Sequence, residues 1–204
     1  MSEPFSLVQV TYILKEGESL GLLTGIEPER IYPRMRSRLE SYAMASYWFE
    51  IIRTAAQARL ASPEFFELTE SFLESLEGDA VLSEESVWHF GRLLQALGFG
   101  ANLEACGLCG ASETLDYFDP ALGTAVCARC TQPQRRYLPL ANGSAGMIKA
   151  LFSEHRPATA LPLAEQARLP FFLILNEILT IHLDQTLRSF QFLKDVVGRP
   201  CREC

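Results

Sequence analysis

Cys106-Gly-Leu-Cys109 and Cys127-Ala-Arg-Cys130 are two Cys-x2-Cys pairs separated by 17 residues. Two residues between the cysteines of a pair allow one tight turn to direct both sulfur atoms at a common point. The distance between the pairs falls within the range found in zinc ribbons. Gly107 and Gly110 permit backbone conformations that a residue with a Cβ atom resists. The stretch from about residue 103 to 133 is therefore predicted to be a zinc motif.

Four cysteine thiolates complete the tetrahedral shell of a zinc ion, so the predicted site is structural and leaves no position for a catalytic water. The alternatives are disulfides or unligated thiols. Because Met1 to Leu7 lack the basic region and apolar run of a secretory signal, we expect a cytoplasmic protein, and disulfides are rare in the cytosol. A redox role for one pair is disfavoured by the absence of a thioredoxin-like context. The expected Zn²⁺ ligands are Cys106, Cys109, Cys127 and Cys130.

Helical periodicity is present on both sides of the cysteine-rich stretch. Apolar and aromatic residues recur at intervals of three and four, and Ser-Pro or Ser-Glu-Glu sequences mark two of the helix starts. The predicted helices span about residues 32–56, 62–78, 83–98, 142–152 and 163–197, with Ser144 and Pro170 as alternative starts of the last two. The sequence thus indicates a helical bundle into which the cysteine-rich stretch is inserted.

Strands are expected at the N-terminus, where residues 5–14 are rich in β-branched and aromatic types. Residues 20–26 are a weaker candidate for a second strand. Two strands alone are marginally stable in water, so either further strands are missing or another element covers them. Within the cysteine-rich stretch, alternation from Leu115 to Phe118 predicts one small strand. The expected fold class is mainly α: a partial β segment at 1–31, then a helical bundle at 32–204 with an inserted four-cysteine zinc ribbon at 103–133.

The chain of 204 residues has a net charge of −7 that lies in its first half. Residues 1–99 hold 8 basic and 15 acidic side chains, whereas residues 100–204 hold 10 of each. Such a chain is a poor candidate for tight, sequence-independent DNA binding, which requires neutralisation of phosphates. Two local basic groups are candidates for DNA contact, with solvated helix surface as the alternative for both. They are Arg34, Arg36, Arg38, Arg53 and Arg59, and Arg188, Lys194, Arg199 and Arg202.

Common catalytic motifs are absent from the sequence. None of His89, His155 and His182 lies in a His-x-Glu arrangement, so the zinc-deaminase pattern is not present. There is also no Gly-x-Ser-x-Gly, no His-Glu-x-x-His and no phosphate-binding Gly-rich loop. The most apolar stretch, residues 169–183, is interrupted by polar residues and is shorter than the roughly 20 residues of a membrane span. We therefore expect neither an enzyme nor a membrane protein.

The order of these features resembles the RecO family of bacterial DNA repair and recombination mediators. The position of the cysteines, between a helix ending in Leu-Gly-Phe and one ending in Leu-Arg-Ser-Phe, is the most specific part of the resemblance. It covers nearly the whole chain. The residues that carry it are Pro4-Phe5, Leu20-Gly21, Ile26-Glu27, Ser41-Tyr-Ala-Met-Ala-Ser-Tyr-Trp-Phe-Glu50, Leu97-Gly98-Phe99, His182-Leu183 and Leu187-Arg188-Ser189-Phe190.

The resemblance implies an N-terminal OB-fold, of which residues 1–31 would be the last strands, followed by a helical domain with a zinc motif. It also implies binding to single- and double-stranded DNA, strand annealing and association with RecR in the bacterial nucleoid. Together these proteins would load RecA onto DNA coated by single-strand-binding protein. One feature departs from the family: its basic opening strands have no counterpart before Phe5. We expect either a longer gene product or the loss of much of the barrel.

The mediator hypothesis predicts which residues contact DNA or a partner. The expected contacts are Arg34, Arg36, Arg38, Arg188 and Lys194, with Arg129, Arg135 and Arg136 beside the cysteines as alternatives. The acidic, aromatic-ended tail of single-strand-binding protein would suit an apolar groove rimmed by arginine. A competing hypothesis is a zinc-stabilised helical interaction module that does not bind DNA, and a zinc hydrolase is a third. Cys201 and Cys204 are expected to form an exposed pair without a defined role.

Overall fold

The computed structural model describes residues 3–17, 20–57, 63–78, 82–140, 144–153, 155 and 164–198. Its strands are β1 (Leu7–Ile13), β2 (Leu22–Arg30), β3 (Asn102–Cys106), β4 (Leu115–Asp119), β5 (Thr124–Cys127) and β6 (Leu138–Pro139). Its helices are α1 (Pro33–Ser37), α2 (Leu39–Gln57), α3 (Pro63–Glu77), α4 (Glu84–Ala96), α5 (Ser144–Leu151), α6 (Glu165–Leu183) and α7 (Ser189–Val197). Arg59, Arg199, Arg202, Cys201 and Cys204 lie outside the described residues.

An aromatic cluster forms the centre of the helical bundle. The Trp48 indole on α2 stacks on the Phe72 ring of α3, with ring centroids 4.1 Å apart, and Phe90 of α4 packs edge-on against both. Phe172 of α6 meets Phe90 in an edge-to-face contact. All four side chains are fully buried, and burial of one phenylalanine contributes about 1.5–3 kcal/mol. Helices α2, α3, α4 and α6 therefore share one core.

Polar residues within the apolar helix α6 have partners in neighbouring elements. The Asn176 side-chain oxygen accepts a hydrogen bond of 3.2 Å from the Tyr47 hydroxyl of α2. The Glu177 carboxylate pairs with Arg136 at 3.0 Å. Because both groups are paired, neither Asn176 nor Glu177 leaves a buried polar atom unsatisfied where it interrupts the apolar stretch. The stretch is part of helix α6, which packs into the core of the bundle.

The first predicted helix, residues 32–56, is divided at Arg38, where the backbone is extended (φ −104°, ψ 125°). This conformation allows the Arg38 guanidinium to donate hydrogen bonds to the last carbonyl groups of α3. In return, the Glu77 carboxylate accepts the N–H groups of Arg34 and Met35 at the start of α1. The ends of α1 and α3 therefore satisfy each other's unpaired backbone groups.

The last predicted helix, which runs to Val197, is likewise two helices in the structure. Asp184 adopts a left-handed conformation (φ 49°) and ends α6. The N-terminus of α7 receives its cap from Glu50 of α2, whose carboxylate accepts the N–H groups of Arg188 at 3.0 Å and Ser189 at 2.7 Å, and the Ser189 hydroxyl. A carboxylate from a distant part of the sequence thus supplies the cap and joins α2 to α7.

Strands β1 and β2 form an antiparallel hairpin. The strand predicted within residues 5–14 is observed as β1. The second strand is longer than the predicted 20–26, because pairing with β1 continues until Arg30 lies opposite Leu7. Pairing over this length overrides the weak strand propensity of Gly25 and Pro28.

The hairpin is anchored at its base and exposed beyond it. The Phe5 ring packs against Tyr42 and Phe49 of α2, with centroid distances of 5.2 Å to each. The rest of the hairpin presents apolar side chains to solvent on a two-stranded sheet, which is marginally stable by itself. The exposed apolar residues of the two strands are Val10, Tyr12, Ile13, Leu22, Leu23 and Ile26.

The cysteine-rich region folds as a four-stranded sheet of order β3-β5-β4-β6 between helices α4 and α5. We call residues 102–139 the cysteine sheet. The strand predicted from Leu115 to Phe118 is confirmed as β4, which pairs antiparallel with β5 and β6. The sequence does not predict strands β3, β5 and β6, which contain 5, 4 and 2 residues.

The cap on α7 makes the stability of the protein depend on pH through Glu50. Burial raises the pKa of this carboxyl, but hydrogen bonds from Ser189 and Arg188 and the charge of Arg53 outweigh burial and lower the pKa below 4.5. Glu50→Gln is expected to destabilise the protein by about 0.5–2 kcal/mol near neutral pH, the usual cost of losing a cap. The difference should shrink as pH falls through the folded-state pKa, where Glu50 itself becomes neutral.

Urea unfolding followed by circular dichroism at several pH values measures this difference. Glu67→Gln is the matched control, because Glu67 is an exposed glutamate of α3 and its neutralisation should change stability little. A Glu50→Gln penalty of the same size at acidic and neutral pH would contradict the assigned role of the carboxylate.

Candidate functional site

Four cysteine sulfurs converge at one end of the cysteine sheet. Cys106 ends β3, Cys127 ends β5, Cys109 follows the first turn and Cys130 ends a short 3-10 turn (Ala128–Cys130). Their sulfur atoms all lie within 4.8 Å of one another, and those of Cys109 and Cys127 are 3.9 Å apart. This exceeds the S–S bond of about 2.05 Å in a disulfide. It fits a tetrahedral zinc ion, whose Zn–S bonds of about 2.3 Å place sulfurs about 3.8 Å apart.

Backbone hydrogen bonds fix the first pair of cysteines. The Gly110 N–H donates to the Cys106 carbonyl at 2.8 Å, and the Cys106 N–H donates to the Ala111 carbonyl at 2.7 Å. Gly110 has a positive φ of 75°, which glycine adopts without strain. A Cβ atom at Gly107 would overlap the Thr124 side chain. The two glycines singled out in the sequence therefore serve the turn and its close contact with β5.

The ionisation of the thiols depends on this geometry. Hydrogen bonds from the backbone N–H groups of Cys127 and Leu108 lower the pKa of the Cys106 thiol to about 6. At Cys130 the pKa is raised to about 12, because its S–H group is held by the sulfurs of Cys127 and Cys109. Metal binding requires thiolates, so a cation of the right size would replace the protons that these sulfurs otherwise share.

The cysteine sheet has a small apolar core of its own. Its buried members are Cys106, Val126 and Cys127, and Leu115 and Tyr137 pack against them. Such a core is too small to stabilise an independent sheet, and small domains of this kind depend on a metal or on a larger neighbour. The chemistry of four thiolates supports a structural metal centre beside this small core, whereas Phe118 of β4 is buried in the core of the bundle.

His182 of α6 connects the cysteine sheet to the helical bundle. Its ring stacks on Phe99 with centroids 4.0 Å apart, and its Nε2 donates a hydrogen bond of 2.8 Å to the Pro120 carbonyl. Pro120 lies in the turn between β4 and β5, whose backbone N–H groups bind the buried Asp119 carboxylate. The sequence gives this role only one signal, a histidine near the end of an apolar helix.

His89 is a structural histidine in the bundle. It is fully buried, its Nδ1 donates to the Glu85 carbonyl at 2.8 Å, and its Nε2 accepts from the Ser71 hydroxyl at 3.1 Å. Both ring nitrogens are therefore satisfied.

The first group of basic residues is partly engaged within the protein. The Arg36 guanidinium pairs with Glu3 and donates to the Tyr32 carbonyl, and Arg38 caps α3 as described above. The Arg34 side chain is exposed. Arg34 is the most exposed of the three, while Arg36 and Arg38 have structural roles that the sequence does not reveal.

Arg188 and Lys194 are exposed on α7 and belong to a second surface. The Arg188 backbone is bound by Glu50, which follows Arg38 by 12 positions and so lies about 18 Å farther along α2. The structure therefore places the predicted contacts in two groups along α2 instead of one cluster. The alternatives near the cysteines, Arg129, Arg135 and Arg136, are all exposed. Arg135 also pairs with Asp119, and Arg136 pairs with Glu177.

An apolar groove of about 540 Å³ lies between α4, α5 and the start of α6. Val87, Trp88, Met147 and Phe171 contribute apolar walls. Glu84 is the charged residue among those that line the groove in the described part of the chain. The arginine rim expected from the sequence is therefore not present at this groove.

A family model described as "Recombination protein O C terminal" matches residues 36–191. The chain belongs to the RecO family. Two curated relatives named "DNA repair protein RecO" extend the similarity: that of Geobacter sulfurreducens is 27% identical and that of Anaeromyxobacter sp. (strain K) is 30% identical, each over 198 residues. Both alignments cover 95% of this chain and 78% of the relative. The resemblance seen in the sequence is thereby confirmed.

The match to the RecO family includes both the helical bundle and the cysteine sheet, since residues 36–191 run from α1 into α7.

None of the helices in the described segments has the length and apolar content required to cross a membrane.

The metal centre predicts a local effect of losing one thiolate. Cys127→Ser is expected to abolish stoichiometric zinc binding and to unfold the cysteine sheet, because three thiolates and a hydroxyl bind zinc more weakly. The bundle should keep its helices, since its core lies around Trp48. Zinc released on thiol modification, together with far-UV circular dichroism, measures both effects. Cys201→Ser, at a cysteine outside the ligand set, should retain the metal; a fully loaded Cys127→Ser protein would refute the assigned ligands.

Proposed function

We propose that this protein is a non-enzymatic mediator of DNA repair and homologous recombination. The observation that carries the proposal is its membership of the RecO family, with relatives named as DNA repair proteins over 95% of the chain. In this role it binds single- and double-stranded DNA, anneals complementary strands and acts with RecR in the bacterial cytoplasm at the nucleoid. The pair loads RecA onto DNA covered by single-strand-binding protein.

Zn²⁺ is the proposed cofactor, held by the four cysteines. The sulfur distances and the thiolate chemistry support it. A closed shell of four thiolates leaves the ion without an open coordination position, so the proposed zinc contributes stability and not catalysis. This assignment disfavours the zinc-hydrolase alternative.

The hairpin β1–β2 is proposed to be part of an OB-type sheet, with residues 1–31 separate from the helical domain at 32–204. Its support is the exposed apolar surface of both strands and the two unpaired strand edges. Proteins usually cover or pair such edges. Limited proteolysis that cleaves between the hairpin and α1 before the bundle is attacked would be expected of separate units.

The proposed DNA contacts are Arg34, Arg188 and Lys194, together with Arg36 and Arg38 in a partly structural role. Arg34, Arg188 and Lys194 are supported by their exposure. Arg36 is less favoured, because releasing it for a phosphate would break its pair with Glu3. Arg38 is less favoured for the same reason, since it caps α3.

Phosphate contacts on α7 predict a change in the salt dependence of DNA affinity. In the double variant Arg188→Gln, Lys194→Gln, the slope of log affinity against log salt should fall by about 0.7 for each lost contact with a single strand. Fluorescence anisotropy with a labelled oligothymidine over a salt series measures the slope. Lys149→Gln, at an exposed lysine of α5, is the control. An unchanged slope in the double variant would remove α7 from the DNA surface.

The groove between α4, α5 and α6 is the proposed site for the tail of single-strand-binding protein. Its apolar walls suit the aromatic end of that tail. Glu84 opposes the acidic part of the tail, so the exposed Lys149 on α5 is the candidate counter-charge.

A negative charge placed in this groove is expected to slow the loading of RecA onto coated DNA without changing the binding of bare DNA. Ala150→Glu should slow RecA-dependent ATP hydrolysis in the presence of RecR on DNA coated by single-strand-binding protein, while binding to bare DNA changes little. The physical reason is repulsion of the acidic tail and loss of the apolar wall. Ala121→Glu, at an exposed alanine of the cysteine sheet, is the matched control. Equal activity of the two variants on coated DNA would remove the groove from the proposal.

A zinc-stabilised interaction module that does not bind DNA remains the second candidate. It is favoured by the net charge of −7 and by the internal pairing of Arg36 and Arg38. Binding of RecR without measurable DNA binding at low salt, in one preparation, would select this function over that of a mediator.

A further inference from the structure

An open cleft of about 330 Å³ lies on the cysteine sheet. Its walls include two aromatic rings, Tyr117 of β4 and Tyr137 just before β6. The ring centroids are 6.1 Å apart and the ring planes make an angle of 55°. The rings therefore diverge and do not stack on each other, which leaves ring face available to a flat ligand. The volume is at the lower end of the range for small-molecule sites.

The walls of the cleft are held in place by hydrogen bonds. The Gln132 N–H donates to the Tyr137 hydroxyl at 3.0 Å, which fixes that ring against the loop that follows the 3-10 turn. The Thr131 hydroxyl donates to the Ala128 carbonyl at 2.9 Å, and the Arg135 N–H closes a turn onto the Gln132 carbonyl at 3.1 Å. A preorganised cleft loses little conformational entropy when it binds a ligand.

The polar groups at the cleft indicate the chemical class of the ligand. Gln132 is exposed and its amide group offers both a donor and an acceptor. The Arg135 guanidinium lines the cleft and is oriented by its 2.8 Å pair with the buried Asp119. The exposed Arg129 lies in the adjoining 3-10 turn. A planar heterocycle with hydrogen-bonding edges, attached to a phosphate backbone, matches aromatic faces, an amide and nearby guanidinium groups.

We propose that the Tyr117–Tyr137 cleft binds one base of single-stranded DNA by stacking. This inference rests on the proposed function, since it assigns a DNA contact to a protein that is proposed to bind DNA. A proline-rich peptide is the competing occupant, because such peptides dock in aromatic-lined grooves. The amide and guanidinium groups favour the base, since a proline ring offers no hydrogen-bonding edge.

The position of the cleft links metal binding to the proposed DNA binding. Tyr137 packs against the core formed by Cys106, Val126 and Cys127, so the position of its ring depends on the cysteine sheet remaining folded. Loss of the metal should therefore weaken the binding of single strands through this cleft, although no cysteine contacts the DNA.

The test uses the full chain and a fluorescein-labelled oligothymidine. Tyr117→Leu is expected to weaken binding by about 5- to 150-fold, the measured range for removing one stacked base. The slope of log affinity against log salt should stay unchanged, because stacking involves no phosphate. Tyr117→Phe keeps the aromatic face and should bind as the unmodified protein does. Phe66→Leu, at an exposed phenylalanine of α3, is the control for loss of an aromatic ring elsewhere.

Localisation of the base provides the second measurement. Photocrosslinking with an oligonucleotide that carries 5-iodouracil, followed by mass spectrometry, should modify the peptide containing Tyr117 or Tyr137. Retained zinc in Tyr117→Leu establishes that the sheet is folded in that variant. If Tyr117→Leu loses zinc, the position of the crosslink in the unmodified protein decides whether the base binds in the cleft.

The outcomes distinguish a failure of the proposed DNA binding from a failure of the cleft assignment alone. If the unmodified protein does not bind the oligonucleotide at low salt, the DNA-binding part of the proposed function fails, and this inference fails with it. If it binds but Tyr117→Leu binds equally well and the crosslinks fall on other elements, the cleft assignment alone is overturned. Binding of a polyproline peptide that is lost in Tyr117→Leu, with DNA affinity unchanged, would also overturn it.

Discussion

The stack of Trp48 on Phe72, with ring centroids 4.1 Å apart, lies at the centre of the helical bundle on which the rest of the protein depends. Phe90 closes this cluster from α4 and links it to Phe172 on α6. Because these rings are fully buried, removing one would leave a cavity shared by four helices. The hairpin and the cysteine sheet join this bundle at its edges, through Phe5 in the first case. Their positions relative to each other are therefore set by the bundle.

The cysteine sheet combines two kinds of stabilisation that act at its opposite ends. At one end, four sulfurs within 4.8 Å supply a metal site. At the other, the Phe99–His182 stack and the hydrogen bond from His182 to Pro120 connect the sheet to α6. The attachment is reinforced by the pair between Arg136 and Glu177 of α6 and by Phe118 of β4, which is buried in the core of the bundle. A metal bound there would thus order a sheet whose orientation the bundle already restricts.

The sequence predicts the parts of this protein that depend on local spacing. The cysteine pairs, the periodicity of the helices and strand β4 are of this kind, and the family resemblance follows from their order. It does not predict the breaks at Arg38 and after Asp184, because their causes lie far along the chain. Arg38 is held by carbonyl groups about forty positions away, and Ser189 is 139 positions from Glu50. Local sequence patterns do not predict contacts between residues so far apart in the chain.

The same distinction bears on the DNA binding that is proposed for this acidic chain. Counting basic residues overstates the phosphate-binding surface, because Arg36, Arg38 and Arg135 each have a partner within the protein. A net charge of −7 further weakens long-range attraction to a polyanion. Stacking of bases on aromatic rings requires neither positive charge nor counterion release. In the proposed complex, a cleft lined by Tyr117 and Tyr137 would therefore supply affinity that does not depend on the net charge of the chain, and the phosphate contacts would serve to orient the strand.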